Sequence, residues 1–96
     1  MTGAGDDVFV WADLEGLELL GPLADRLRAA LQSGQPLVID LSEAGEPGAA
    51  AMQLLIAAAR SGDAFVLRNP SRAFVDGCSA LGLFAALMAM PLEALP

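Results

Sequence analysis

The chain has no histidine, no lysine, no tyrosine and a single cysteine among its 96 residues. The lone Cys78 excludes an internal disulfide bond, and without histidine the usual zinc-binding sets cannot be assembled. Twelve carboxylates outnumber five arginines, and the resulting net charge of −7 disfavours contacts with nucleic-acid phosphates. We therefore expect no metal, no cofactor and no nucleic-acid partner.

Long hydrophobic runs are also missing. The longest nearly unbroken apolar run, residues 80–92, contains Gly82 and Pro91 and is shorter than the roughly 20 residues that cross a bilayer. Residues 1–7 carry no basic side chain, and no apolar segment of a secretory signal follows them. These features predict a cytoplasmic protein without membrane insertion. At 55% hydrophobic residues, the chain is expected to fold as one domain over 1–96, with residues 1–6 flexible.

Short apolar runs bounded by turn residues predict the strands. They lie at 8–11, 16–20, 37–41 and 64–67, and a last short strand is expected at 87–90. The run at 37–41 is almost continuously apolar, which is typical of a parallel strand that is covered on both faces. We therefore place it at the centre of the sheet.

Apolar residues at helical spacing predict three helices between these strands. The first is expected to start after a break at Gly21 and Pro22, and it ends at Ser33 and Gly34. The second covers 49–59, and the third begins at an N-cap, Ser71, and ends at Gly82. The first helix carries its apolar stripe on Leu23, Leu27, Ala30 and Leu31. Pro91 is expected in the first turn of a terminal helical stub.

The central half of the sequence resembles a STAS domain, the module of anti-sigma-factor antagonists, sulfate-transporter tails and related regulators. The resemblance lies in a buried strand that ends in Asp40, Leu41 and Ser42, a loop over 43–47, a helix from Gly48 and a later strand over 65–68. Residues 69–74 are similar to the single-domain form encoded beside bacterial chemotaxis genes. The resemblance implies an α/β fold with a central sheet of four to five mixed strands and helices packed mainly on one face.

The resemblance also implies a function, that of a non-catalytic adaptor in signal transduction. Its protein partner would be an anti-sigma factor or GHKL-type kinase, or a chemotaxis component, and a homodimer stays open. The family's phosphoacceptor falls at Ala49, which has no hydroxyl, and no Ser, Thr or Tyr lies between Ser42 and Ser61. The phosphorylation switch is therefore expected to be lost. The alternative is a structural subunit that binds the ATPase of an ABC-type lipid transporter.

The partner-binding surface is predicted on the second helix and the loop before it. Two opposite stripes compete to face the sheet, and we expect the stripe that contains Gln53 to be exposed. The predicted surface consists of Ser42, Glu43, Glu46, Gly48, Ala50, Gln53, Leu54 and Ala57, and the buried stripe of Ala51, Met52, Leu55, Ala58 and Ala59. A competing interpretation is that alanines on an exposed helix face only raise helix propensity. Likewise, Ser42 either opens the turn or replaces the missing phosphoacceptor.

Cys78 is predicted to be a core residue because it lies at helical spacing from Phe74 and Leu81. A reactive thiol needs a nearby cation or helix N-terminus, and the middle of a helix in an acidic chain supplies neither. The aromatic residues are expected mostly in the core; they are Phe9, Trp11, Phe65, Phe74 and Phe84. The apolar cluster of Leu83, Phe84, Leu87, Met88 and Met90 suits either an irregular core or a groove for a partner.

Overall fold

The computed structural model describes residues 8–12, 17–62 and 65–93, and strands alternate with helices along them. The strands are β1 (Val8–Val10), β2 (Leu37–Asp40), β3 (Phe65–Arg68) and β4 (Leu92–Glu93). The helices are α1 (Leu17–Ser33), α2 (Ala49–Ser61), α3 (Arg72–Ala80) and α4 (Phe84–Met88). The predicted α/β class is confirmed. The expected flexibility of residues 1–6 lies outside the described residues.

The predicted mixed sheet is wrong. In the described residues the strands follow one another in the order β1-β2-β3-β4, and every neighbouring pair is parallel. Three strands of three or four residues make up most of the sheet, and β4 adds two residues at its edge. A mixed sheet contains at least one antiparallel pair, whereas each pair of consecutive strands here is joined by a helical crossover that returns the chain in the same direction.

One face of the sheet supplies the core. Along β2 and β3 burial alternates, with Leu37 and Ile39 buried and Val38 and Asp40 only half-buried, because successive side chains point to opposite faces. The buried side chains of the helices gather with the buried strand residues in a single cluster. It contains Phe9, Trp11, Leu19, Leu23, Leu27, Ala30, Leu37, Ile39, Leu41, Ala44, Ala51, Met52, Leu55, Ala58, Phe65, Leu67, Phe74, Cys78, Leu87 and Met90.

The predicted second strand at 16–20 is also wrong. Gly16 lies outside the described residues, and from Leu17 onward the chain is helical, so the expected break at Gly21 and Pro22 falls inside α1. Packing decides this region: Leu19, Leu23, Leu27 and Ala30 are buried at helical spacing, which a strand could not achieve. Leu31, expected on the same stripe, is 44% exposed. The predicted end of the helix is confirmed, since α1 stops at Ser33 and Gly34 has a φ of +77°.

The predicted strand at 87–90 is replaced by α4. An apolar run without polar residues has no readable periodicity, and here Leu87 and Met90 are buried while Phe84 and Met88 remain exposed. Pro91 does not begin a helical stub; it precedes β4, and its carbonyl oxygen accepts a hydrogen bond from the Leu67 N–H at 2.9 Å.

The remaining elements agree with their sequence patterns. The strand expected at 37–41 is β2, between β1 and β3, and the helix expected at 49–59 is α2. Ser71 caps α3 as predicted, because its hydroxyl oxygen accepts a hydrogen bond from the Phe74 N–H at 3.0 Å. None of the described helices is both long enough and apolar enough to cross a membrane.

Candidate functional site

The candidate site begins where β2 ends. The Asp40 carboxylate accepts a hydrogen bond from the backbone N–H of Ser42 at 2.9 Å, which turns the chain out of the sheet. The Leu41 carbonyl oxygen then accepts two hydrogen bonds, from Ala44 N–H at 3.1 Å and from Ser71 N–H at 3.0 Å. The turn over 41–44 is therefore bonded both to the end of β2 and to Ser71, the residue just before α3.

Ser71 ties this loop to α3 a second time. Its hydroxyl donates to the Ala44 carbonyl oxygen, 27 residues earlier in the chain, while its oxygen caps the Phe74 N–H. Ala44 itself is buried. A sequence pattern predicts the cap but not the loop contact, because nothing local connects two residues that far apart. The contact between Ser71 and Ala44 is thus a part of the site that the sequence did not reveal.

The loop leads directly into α2. Gly48 has an extended backbone (φ −82°, ψ 159°), and no side chain caps the helix there. Around Gly48, the loop residues Ser42, Glu43 and Glu46 are exposed, whereas Pro47 is buried. The two carboxylates lie shortly before the N-terminus of α2, where the helix dipole favours negative charge.

The exposure of α2 follows the predicted faces except at Leu54 and Ala59. Ala50, Gln53 and Ala57 are exposed, and Leu54 is half-buried and packs partly against the core. The opposite face is buried in the core cluster through Ala51, Met52, Leu55 and Ala58, with Ala59 half-buried at its end. The structure therefore brings the predicted surface residues together as an exposed loop followed by an exposed helix face. Ala49 is exposed in the first turn of α2.

Asp40 holds the base of the loop as an anion. The pKa of its carboxyl group is lowered, first by the hydrogen bond from the Ser42 backbone N–H, then by the Ser42 side chain and by the positive charge of Arg68. Arg68 is the register partner of Asp40 on β3. The sequence pattern marks Asp40 only as the end of a strand, and the structure shows that its side chain shapes the loop.

Cys78 lies in the core, as predicted. It is fully buried, its Sγ lies 3.7 Å from the Sδ of Met52, and burial raises the pKa of its thiol. Trp11 is buried too and packs edge-on against Phe74 with ring centroids 5.1 Å apart. Two neighbours differ from the expectation, because Leu81 is 42% exposed and Phe84 is 46% exposed.

No model of a known protein family matches the chain, and neither a curated protein nor a solved structure does. The fold and the site define an α/β domain with a parallel sheet, an ordered loop at the carboxyl end of its second strand, and an exposed helix face beside that loop. Over the described ranges, no group of three or more His, Cys, Asp or Glu side chains is placed to hold a metal ion.

Proposed function

We propose that this protein is a non-catalytic, STAS-like regulatory adaptor that binds a protein partner through the loop 42–48 and the exposed face of α2. The observation that carries the proposal is the way in which the loop is built. Hydrogen bonds from Ser42, Ala44 and Ser71 order its first half, and buried Pro47 anchors its second half. A surface ordered before binding loses less conformational entropy when a partner docks.

The chemistry of this surface favours a partner with a basic, apolar segment. Glu43 and Glu46 supply negative charge on the loop, and Ala50 and Ala57 leave a shallow helix face that lets another backbone approach closely. Leu54 adds a partly exposed apolar contact between them. By the sequence resemblance, the partner is an anti-sigma factor or GHKL-type kinase, or a chemotaxis component, and the adaptor works in the cytoplasm.

The adaptor acts without a phosphorylation switch. Ala49 has no hydroxyl in the first turn of α2, and the Ser71 hydroxyl is engaged in two hydrogen bonds that a phosphoryl group would break. Ser42 is exposed, and its backbone N–H is used to form the turn. A phosphoryl group would change the charge of this surface by nearly two negative units. Without one, binding depends on the availability of the partner and not on covalent modification.

Charge substitutions on α2 test the surface. Ala50→Asp and Ala57→Arg should fold with less than about 0.5 kcal/mol change in stability. Both should lose binding to the cognate purified kinase or chemotaxis component, because a side chain larger than alanine keeps another backbone from approaching this helix face closely. Leu31→Asp, on the exposed side of α1, is the matched control and should bind normally. Calorimetric titration measures binding and thermal melts measure folding. Normal binding by both α2 variants would contradict the proposal.

The same preparations separate two other outcomes. Binding to the ATPase of an ABC-type lipid transporter, and not to a kinase, would replace the signalling role by the structural one. Incubation with ATP and the kinase, followed by mass spectrometry, should show no stoichiometric phosphate on the chain. Full phosphorylation of Ser42 or Ser71 would overturn the claim that the switch is lost.

A further inference from the structure

Four of the chain's five valines lie on the face of the sheet that points away from the core. We call this surface the valine face; it consists of Val8, Val10, Val38 and Val66. Val10 is 52% exposed and the other three are half-buried. The buried helix side chains gather in the core cluster, and no valine of this face belongs to that cluster or packs against it. Within the described residues, the helices therefore leave the valine face uncovered.

An uncovered face is unusual for a sheet in which every neighbouring pair of strands is parallel. Such sheets occur almost only with helices on both faces, and their strands are then apolar along most of their length. A sheet that exposes one face to water instead alternates apolar and polar residues. The run at 37–41 is apolar at every position except Asp40, and β3 has Val66 where alternation would place a polar residue. The strands therefore predict a second layer, which the described part of the chain does not supply.

The dimensions of the valine face fit a single helix. Register pairs place Val8, Val38 and Val66 side by side in one row. Neighbouring strands lie about 4.8 Å apart, so this row is about 10 Å wide. An α-helix with its side chains has a diameter of about 10 to 12 Å. One helix that runs along β2 therefore covers the whole row, and its next turn reaches the row that begins at Val10.

Charge decides which kind of helix fits this face. Next to Val10, the second row continues through Asp40, Arg68 and Glu93 as register partners, so it holds two acidic residues and one arginine. The whole chain carries a net charge of −7. Both the row and the field of the whole protein therefore favour a basic partner, and the same field repels a second copy of the chain.

We propose that the valine face is a docking site for a basic amphipathic helix of another protein. The apolar stripe of that helix packs on the row of Val8, Val38 and Val66, and its lysine or arginine side chains meet the acidic residues of the second row. This helix supplies the second layer that a parallel sheet ordinarily has. The site lies on the opposite side of the sheet from α2, so it is distinct from the surface of the loop 42–48 and α2.

NMR of the valine methyl groups tests the docking site on the full chain. The probe is a synthetic helical peptide of about 20 residues, with leucine on one face and lysine on the other. It should shift the methyl signals of the valine face. The signals of Val75 on α3 should stay unchanged, because this fifth valine packs against the core cluster on the other side of the sheet. A peptide with the same composition in scrambled order, and one with glutamate in place of lysine, should each bind at least about ten-fold more weakly.

A double variant removes the apolar row without removing the strands. Val38→Thr combined with Val66→Thr keeps β-branched side chains that suit a strand, and it should weaken binding of the peptide by about ten-fold or more. Leu31→Thr is the matched control, because it removes apolar surface from a side chain that is 44% exposed on α1. It should bind the peptide like the wild type. Thermal melts show whether both variants fold, and the methyl shifts of the wild type test the proposal even if the double variant unfolds.

Four results would overturn the proposal. They are an absence of methyl shifts at about 1 mM peptide, shifts confined to Val75, equal binding by the scrambled peptide, and equal binding by the double variant in its folded state. Shifts of the valine face when the chain alone is concentrated would also overturn it, since the occupant would then be a second copy. None of these results depends on the surface of the loop 42–48 and α2.

Discussion

Gly77 in α3 and Pro47 in the loop 42–48 pack so closely that no side chain fits between them. A Cβ atom on Gly77 would lie 2.6 Å from the Cδ of Pro47 and 3.1 Å from the Cβ of Glu46. Glycine inside a helix costs up to about 1 kcal/mol relative to alanine, and here it allows the loop to rest directly on the helix. The position of the proposed binding loop is thus set by α3 as well as by β2.

Gly77→Ala should destabilise the protein. The gain in helix propensity is smaller than the cost of moving Pro47, and we expect a net loss of about 1 to 3 kcal/mol in the free energy of unfolding. Gly21→Ala is the control, because Gly21 also lies inside a helix but a Cβ atom there would meet nothing within 4 Å beyond its chain neighbours Leu20 and Pro22. It should change stability by under about 1 kcal/mol, because the gain in helix propensity opposes the restriction that Pro22 places on a preceding residue with a Cβ atom. Urea unfolding measures both, and a Gly77→Ala variant that is at least as stable as Gly21→Ala would refute the packing argument.

Ser71→Ala should cost more than the loss of an ordinary helix cap. A cap alone is worth about 0.5 to 2 kcal/mol, and this variant also leaves the carbonyl oxygen of buried Ala44 without its hydroxyl donor, at about 1 to 3 kcal/mol. We expect a total of about 2 kcal/mol or more, measured by denaturant unfolding. Ser61→Ala removes an exposed hydroxyl bonded only within α2 and should change stability by under about 0.5 kcal/mol. Equal effects would show that the Ser71 contact to the loop contributes nothing.

Cys78 should react slowly with thiol reagents in the native protein. Burial raises the pKa of its thiol, so little thiolate forms near neutral pH, and reagent access requires unfolding. Labelling should accelerate in urea. Cys78→Ala should cost about 1 to 2 kcal/mol because it leaves a small cavity beside Met52. Native labelling at the rate of a free thiol would contradict the buried position.

Asp40 should make stability fall in acid. Its folded pKa is lowered below the ordinary value of 3.8, so its contribution is complete well above that value and is lost as the pH falls through the folded pKa. Asp40→Asn should therefore be less stable than the wild type at neutral pH, by under about 1 kcal/mol because the carboxylate is near solvent. The difference should shrink as the pH falls through the folded pKa of Asp40. A difference that grows in acid, measured by urea unfolding at a series of pH values, would reverse this assignment.

The sequence predicted the parts of the fold in which local signals agree. Gly34 and Ser71 correctly predicted the ends of two helices. A single polar residue of α2, Gln53, was enough to predict which face of that helix is exposed. Prediction was wrong where apolar residues surround a breaker, as at Gly21 and Pro22, because core packing of the neighbouring leucines outweighs the local cost of both residues.

The candidate site could likewise be predicted only in part. Its exposed residues could be chosen by periodicity, since Gln53 stands alone as a polar residue on α2 before Arg60. What orders the loop could not be predicted, because the contacts of Ala44 with Ser71 and of Pro47 with Gly77 join residues about 30 positions apart. The exposure of Phe84 was likewise hidden, because a run without polar residues does not show which of its members the core leaves out.

The sequential order of the four parallel strands also bears on how the chain folds during synthesis. In the described residues each strand pairs with the one before it, and no strand is inserted between two earlier ones. Each strand that leaves the ribosome can therefore pair with a strand that has already been synthesised, since β2 pairs with β1, β3 with β2 and β4 with β3. Domains emerge N-terminal end first, and this topology permits assembly in the direction of translation without a wait for distant partners.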